Sequence, residues 1–195
     1  MDVKFEVDGL DWALKVSGFP MTTELDEEEL TPPYEVFRED RKTLDRADKL
    51  SDVPKGSGHD TFLKGINVRM MITAPQYWWM QAQRYSFIDI VSSQSKMHKL
   101  TEMDVRMMVN EYVDEHFINY LTMLIEKYQE GLISFQYVIS NVPMGLELTA
   151  GVTCNYLQLK TIYSQRRDHK LDEWQYFCDS IEVLPYSRWI TGSDN

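Results

Sequence analysis

Residues 58–100 decide the fold of this chain, and they read GHDTFLKGINVRMMITAPQYWWMQAQRYSFIDIVSSQSKMHKL. Alternate positions near the start of this stretch are apolar: Ile66, Val68, Met70 and Ile72. This period of two predicts a β-strand. Pro75 suits the first turn of a helix, where its missing N–H has no cost, so we expect a helix from there to about Tyr85.

Outside this stretch, the same periodicities predict further strands and helices. We expect strands over residues 3–7 and 146–154 because apolar residues alternate there. We expect short helices at 10–16 and 45–50, a long helix from Thr101 to Glu130 begun by a capping pair of Thr101 and Asp104, and later helices at 132–140, 155–166 and 170–183. The acidic run at 24–29 reads as a solvated loop or helix start, and residues 191–195 should fray. The prediction is one α+β domain over residues 1–195.

The amino-acid composition narrows the classes of function that this chain can have. The chain has 195 residues, 43% of them hydrophobic, and a formal net charge of −11. Such a charge disfavours general binding to nucleic acids or anionic membranes, and it is compatible with a local basic pocket for a small anion. Cys154 and Cys178 show no metal-type spacing and are expected to be reduced and structural. With no signal-peptide pattern and no membrane-spanning apolar run, we expect a cytoplasmic protein.

Three polar clusters are candidates for chemistry: residues 58–61, 92–99 and 165–170. His59 beside Asp60 and Thr61 also fits a simple hydrogen-bonded turn. The cations of the third cluster also fit a helix C-terminus, where they stabilise the helix dipole. The usual phosphate-loop, dinucleotide, nucleophile-elbow and zinc-protease motifs are absent from the sequence, and no metal site is expected.

The block 58–100 resembles the flavin-dependent thymidylate synthases. The matching features are Gly58-His59-Asp60-Thr61, Ala74-Pro75, Gln81, Arg84 and Lys99-Leu100, followed after Pro143 by Asn155, Arg166 and Trp174. The resemblance spans about residues 45–181 and suggests a diverged, phage-like member. It implies a central twisted, mostly antiparallel sheet packed with helices.

The resemblance also implies an activity and a set of site residues. Such enzymes use FAD and NADPH to move the methylene of methylenetetrahydrofolate onto dUMP as a methyl group, and they work as homotetramers. By position, the flavin would be bound by His59, Thr61, Arg84 and Asn155. The catalytic groups that act on the nucleotide would be Arg166, Lys96 and Gln94. The residues that bind the nucleotide would be Gln81, Ser95 and Arg167.

Several motif positions depart from the family pattern. The family's RHR triplet reads Arg84-Tyr85-Ser86, its acidic residue falls at Ser92, and the serine and arginine of its Ser-x-Arg turn fall at Gln94 and Lys96. Where family members supply a phosphate-binding arginine, this chain has Ile139 and Thr149. Each lost charge-assisted contact is worth about 1.5–3 kcal/mol. Lys96 keeps a positive charge without the bidentate geometry of arginine.

Three functions remain open from the sequence. The first is a diverged thymidylate synthase acting on dUMP or a related pyrimidine nucleotide. The second is a non-catalytic protein that binds a nucleotide on the same fold. The third is a protein-binding module acting through its acidic surface, which is supported only by the net charge and the run at 24–29.

Overall fold

A computed structural model describes residues 1–32, 40–54 and 57–192; the side chains of Glu28 and Glu29 are not described. The residues beyond 192 whose fraying was predicted therefore lie outside the described part of the chain. The described residues form an α+β structure with a four-stranded antiparallel sheet in the order β1-β2-β4-β3. The strands are β1 (Asp2–Asp8), β2 (Asn67–Pro75), β3 (Asp89–Ser93) and β4 (Glu147–Asn155). The predicted fold class is confirmed.

Helices occupy most of the remaining described sequence. The α-helices are α1 (Leu10–Val16), α2 (Glu27–Leu30), α3 (Arg41–Ser51), α4 (Gln76–Ala82), α5 (Lys96–Lys99), α6 (Glu115–Gln129), α7 (Phe135–Ile139), α8 (Tyr156–Arg166), α9 (Asp172–Glu182) and α10 (Arg188–Thr191). Short 3-10 segments lie at Phe19–Met21, His59–Gly65, Leu100–Glu102 and Val105–Met107. No described helix is long and apolar enough to cross a membrane.

The chain divides into two compact units. The first unit contains residues 1–4 and 71–152, and the second contains residues 5–70 and 153–195. The expectation of a single domain stays a prediction.

The first unit has its own apolar core, to which α6 contributes three buried residues. The buried residues of this core are Leu100, Val105, Leu121, Leu124, Ile125, Val138 and Leu146. The N-cap of helix α6 is Asp114, whose side chain accepts a hydrogen bond from the His116 N–H at 2.8 Å. It ends before Gly131, which has a φ of 73°.

The predicted start of this helix at Thr101 is wrong. The side chain of Asp104 instead caps a 3-10 turn by accepting from the Arg106 N–H at 3.1 Å. The backbone that follows pairs with the segment before β4: Val109 forms an antiparallel bridge with Leu146. Tertiary pairing therefore uses the backbone groups that a helix would need, and this overrides the local capping pattern.

The second unit buries aromatic residues against α8. Its fully buried large side chains include Tyr156, Trp174, Phe177 and Trp189. The Tyr156 hydroxyl donates to the Pro185 carbonyl at 2.6 Å, which ties α8 to the segment before α10. Asp48 on α3 accepts hydrogen bonds from Arg188 Nε at 2.7 Å and from Trp189 Nε1 at 2.6 Å, so α10 is also anchored to α3.

Candidate functional site

A cavity of the second unit lies beside the turn that carries His59 and Thr61. This cavity, here called the Arg46 pocket, has a volume of about 570 Å³. Its apolar lining residues are Trp12, Val16, Pro20, Met21, Leu50 and Phe62. Its polar lining includes Ser17, Arg46, His59, Thr61 and Lys64. The sequence predicted His59 and Thr61 as ligand-binding residues, and the structure places both on this cavity.

Close backbone approach shapes the wall of the Arg46 pocket. Gly65 lies so near the Trp12 ring that a Cβ at Gly65 would fall 2.5 Å from Trp12 Cζ3. Gly9, which precedes α1, has a φ of 83°, and a Cβ there would fall 2.3 Å from the Gly65 carbonyl oxygen. Only glycine at these two positions allows Trp12 to lie against the turn.

A buried ion pair between Lys160 and Asp60 stabilises the same turn. Lys160 Nζ on α8 donates to Asp60 Oδ2 at 2.9 Å and to the Ser51 carbonyl at 2.6 Å. The side chains of Lys160 and Asp60 are only 10% and 4% exposed. Asp60 stands between His59 and Thr61, so this pair connects the turn to α8 and to the end of α3. No local sequence pattern predicts this contact, because Lys160 and Asp60 are 100 residues apart.

The other predicted site residues of the second unit do not line the Arg46 pocket. The Asn155 side chain accepts from the Gln158 N–H at 3.0 Å and so caps α8. Arg166 is half-buried, with its guanidinium carbon 4.6 Å from the centre of the Trp174 ring. Arg167 donates to Asp179 and lies 3.5 Å from a Glu182 oxygen. The hydrogen bond to Asp179 raises the pKa of Arg167, whose charge is compensated by these carboxylates.

A smaller cavity in the first unit contains Lys96. This Lys96 pocket has a volume of about 230 Å³, and its other lining residues include Gln76, Trp79, Gln83 and Ser93. Lys96 Nζ donates to Gln76 Oε1, and no carboxylate of the described residues forms an ion pair with it. Burial lowers the pKa of Lys96 below its usual 10.5.

The neighbours of Lys96 in sequence have structural contacts. Ser95 is the residue that precedes α5. Gln94 pairs with Thr149 twice: its N–H donates to the Thr149 carbonyl, and its side-chain oxygen accepts from the Thr149 N–H, both at 2.9 Å. The Gln94 side chain therefore extends the pairing at β4. Gln81 and Arg84 also belong to the first unit, and neither is a lining residue of the Lys96 pocket.

Sequence reasoning missed two groups that the structure places at these cavities. Arg46 lies on α3 and Gln76 begins α4, and both lie outside the motif positions quoted above.

The described residues contain no cluster of histidine, cysteine and acidic side chains suited to a metal ion. Cys154 and Cys178 are buried free thiols, and burial raises the pKa of each to about 12.

Comparison with solved structures identifies the fold. The flavin-dependent thymidylate synthase ThyX of Helicobacter pylori, complexed with FAD and dUMP, matches with a TM-score of 0.73 at 13% sequence identity. A second structure of ThyX from that organism, also with FAD and dUMP, matches with a TM-score of 0.74 at 14% identity. Each match covers 98% of this chain and 97% of the other. The chain therefore has the fold of these synthases along its whole length. No protein-family profile and no curated protein sequence matches it.

Proposed function

We propose that this protein is a diverged relative of the flavin-dependent thymidylate synthases that binds FAD and dUMP or a related pyrimidine nucleotide. The observation that carries the proposal is the end-to-end fold match to structures holding these two ligands. The turn Gly58-His59-Asp60-Thr61 supports it, because it resembles the family's motif and lines a cavity of ligand size. Shared fold alone does not establish activity, so the proposal depends on these residues as well.

The Arg46 pocket fits part of a flavin. Its lining is mainly apolar, with Trp12 and Phe62 able to contact a planar ring and His59 and Thr61 able to hydrogen-bond to its polar edge. A bound flavin would supply hydride transfer, with NADPH as the hydride donor and methylenetetrahydrofolate as the one-carbon donor. The protein's own contribution would be to hold the ring and to exclude water from it.

The Lys96 pocket supports the nucleotide half of the proposal. Its ammonium group is held by a neutral amide rather than by a carboxylate, which leaves a net positive charge for a phosphate. Arg166 remains the residue that we expect to contact the nucleotide in the second unit, and Asn155 and Arg84 remain the expected flavin contacts. A homotetrameric assembly also follows from the family resemblance and belongs to this proposal.

A non-catalytic nucleotide-binding protein is the second candidate. Tyr85, at the middle position of the family's RHR triplet, is buried and its ring lies 5.5 Å from that of Phe87. Arg167 is paired with acids, and the Gln94 side chain is committed to the backbone of Thr149. Two residues expected to serve the substrate, Arg167 and Gln94, thus have structural partners, which favours binding without turnover.

The absorbance spectrum of the purified protein is the first test. Flavin bands in the protein as isolated, or after incubation with FAD and gel filtration, would support the proposal. A colourless protein that takes up no FAD and binds no dUMP would overturn it. If FAD and dUMP bind, formation of dTMP from dUMP with NADPH and methylenetetrahydrofolate separates the enzyme from the non-catalytic candidate.

Arg166→Ala tests the nucleotide contact. We expect loss of dUMP binding in isothermal titration, because a charge-assisted contact to a phosphate or pyrimidine oxygen disappears. Arg106→Ala is the matched control, since Arg106 is an exposed arginine that pairs with Glu115 in the first unit. Unchanged dUMP affinity in Arg166→Ala would remove Arg166 from the site. A thermal unfolding curve checks that both variants fold.

A further inference from the structure

In the second unit, the Arg46 guanidinium donates hydrogen bonds to uncharged acceptors instead of carboxylates. Its Nε donates to the Ser17 hydroxyl and its Nη2 to the Leu14 carbonyl, both at 3.1 Å. Ser17 is itself buried and donates to the Leu14 carbonyl at 2.6 Å. These bonds fix the guanidinium without neutralising its charge.

Glycine at position 18 provides the space for this guanidinium. A Cβ at Gly18 would lie 3.2 Å from Arg46 Cζ and 3.3 Å from each of its terminal nitrogens. The planar group therefore lies close to the backbone of Gly18.

No carboxylate of the described residues forms an ion pair with Arg46. Other arginines of the chain do have such partners, for example Arg69 with Glu6 and Arg188 with Asp48. The chain carries a net charge of −11, so acidic side chains are abundant. A half-buried, oriented arginine without a carboxylate partner among the described residues is available to an external anion.

The other lining residues of the pocket indicate what kind of ligand would carry the anionic group. The apolar wall formed by Trp12, Val16, Leu50 and Phe62 favours a ring, and Lys64 adds a second positive charge at the lining. A volume of about 570 Å³ lies within the usual range of small-molecule sites. The pocket therefore combines an aromatic-lined cavity with a fixed cation.

We propose that the Arg46 pocket binds a small planar aromatic ligand through its anionic group, a phosphate or a carboxylate, and that Arg46 is the residue that binds this group. The inference deepens the proposed function by naming an anion contact outside the family-like motifs. Its chemistry does not require the ligand to be a flavin, so the two proposals can fail separately.

Two pairs of fluorescent probes test the inference, each pair differing in one anionic group. The first pair is 8-anilinonaphthalene-1-sulfonate and the neutral N-phenyl-1-naphthylamine; the second is FMN and riboflavin. We expect the wild-type protein to bind the anion of the first pair more tightly by about tenfold or more, the size expected of one charge-assisted contact. Arg46→Gln should remove this preference and leave the affinity for the neutral probe unchanged.

Three further variants make the result specific. Arg46→Lys should keep part of the preference, because the charge remains while the planar geometry is lost. Gly18→Ala should reduce it by displacing the guanidinium. Arg69→Gln, at an exposed arginine of the same unit that pairs with Glu6 and does not line the pocket, should keep the whole preference. Circular dichroism verifies that each variant is folded.

The outcomes separate the two proposals. An equal affinity of the wild-type protein for both naphthalene probes, or a preference that survives Arg46→Gln, overturns the inference. If FAD binds normally to Arg46→Gln and the naphthalene pair shows no Arg46 dependence, the proposed function stands and this inference fails. If the naphthalene pair depends on Arg46 but neither FAD nor FMN binds, the inference stands and the flavin proposal fails.

Discussion

The Arg46 pocket and the Lys96 pocket hold their cations in the same way but differ in what surrounds them. Arg46 is fixed by a hydroxyl and a carbonyl, and Lys96 by an amide oxygen. In neither case does a carboxylate of the described residues neutralise the charge. The cavity around Arg46 is about 570 Å³ and the cavity around Lys96 about 230 Å³. The Arg46 pocket has room for a ring system, whereas the Lys96 pocket has room for little more than a phosphate group.

A cation with no carboxylate partner among the described residues does not by itself define a ligand. Both pockets offer positive charge on an acidic protein, yet the walls decide which anion fits. Arginine adds a planar fork that orients its partner, whereas lysine adds a point charge. The two cavities are therefore expected to respond to different probes, and the following variants test that independence.

Replacing Lys160 with Met should have the largest effect. The Asp60 carboxylate would remain buried without its partner, so we expect the free energy of unfolding to fall by about 3–5 kcal/mol. Urea denaturation measures this change. Lys127→Met, at an exposed lysine of α6, should change stability by less than about 0.5 kcal/mol.

The double variant Lys160→Met with Asp60→Leu separates charge from packing. Since no buried charge is left unpaired, we expect most of the lost stability to return. In the folded single variant, anion binding at the Arg46 pocket should weaken while dUMP binding at the Lys96 pocket persists. Equal losses at both pockets would show that the two are not independent.

Gly9→Ala should be the next most damaging change. A left-handed backbone costs a residue with a Cβ about 1–2 kcal/mol, and the clash with the Gly65 carbonyl adds overpacking of about 1–3 kcal/mol. Gly58→Ala is the matched control, because Gly58 has a φ of 81° but nothing within 4 Å of a Cβ. Denaturation curves should show that Gly9→Ala loses more stability than Gly58→Ala. Equal losses would mean that the close approach of α1 to the turn is not a constraint.

The sequence predicted the elements whose apolar pattern is local. The strand prediction at 3–7 is confirmed by β1, in which Val3, Phe5 and Val7 are half-buried between exposed neighbours. Helix α1 occupies the predicted residues 10–16, and α8 and α9 lie within two residues of their predicted bounds. In β2, the alternate residues Val68, Met70 and Ile72 are buried as expected.

Elements governed by distant contacts could not be predicted in this way. Strand β3 was missed because all five of its residues are exposed, so no alternation marks it.

The candidate site residues could also be predicted only where a local motif marks them. His59, Thr61 and Lys96 were found through family-like motifs, and each lines a pocket. Arg46 was missed because its acceptor Ser17 is 29 residues away in sequence.

Lys96→Met should weaken dUMP binding by about tenfold to a hundredfold, the loss expected for one charge-assisted contact. Lys99→Met serves as the control, since Lys99 is exposed and pairs with Glu102 at 2.7 Å. Isothermal titration with dUMP measures both variants. The Arg46-dependent binding of the naphthalene probe should be unchanged in both. If Lys96→Met left dUMP affinity intact, the smaller cavity would not be a phosphate site.

The smallest expected effect is a pH dependence of dUMP binding that follows from the burial of Lys96. Burial lowers the pKa of Lys96 below 10.5, so its ammonium group loses its proton earlier than an exposed lysine does. The phosphate is mostly dianionic above about pH 7. As the pH rises further, the ammonium form disappears, and dUMP affinity should decline before pH 10.5 is reached.

Lys96→Arg isolates this effect because arginine keeps its proton throughout the same range. Any change in the pyrimidine ring with pH affects both proteins equally, so the ratio of their dUMP affinities reports on Lys96 alone. We expect the ratio of wild-type to Lys96→Arg affinity to fall as the pH rises from 8 toward 10.5, with titrations at several intermediate values. A constant ratio would mean that Lys96 does not contact the phosphate or remains fully protonated, and the smaller pocket would lose its assigned charge partner. The Arg46-dependent probe affinity should stay constant over this range, because an arginine and a sulfonate do not titrate there.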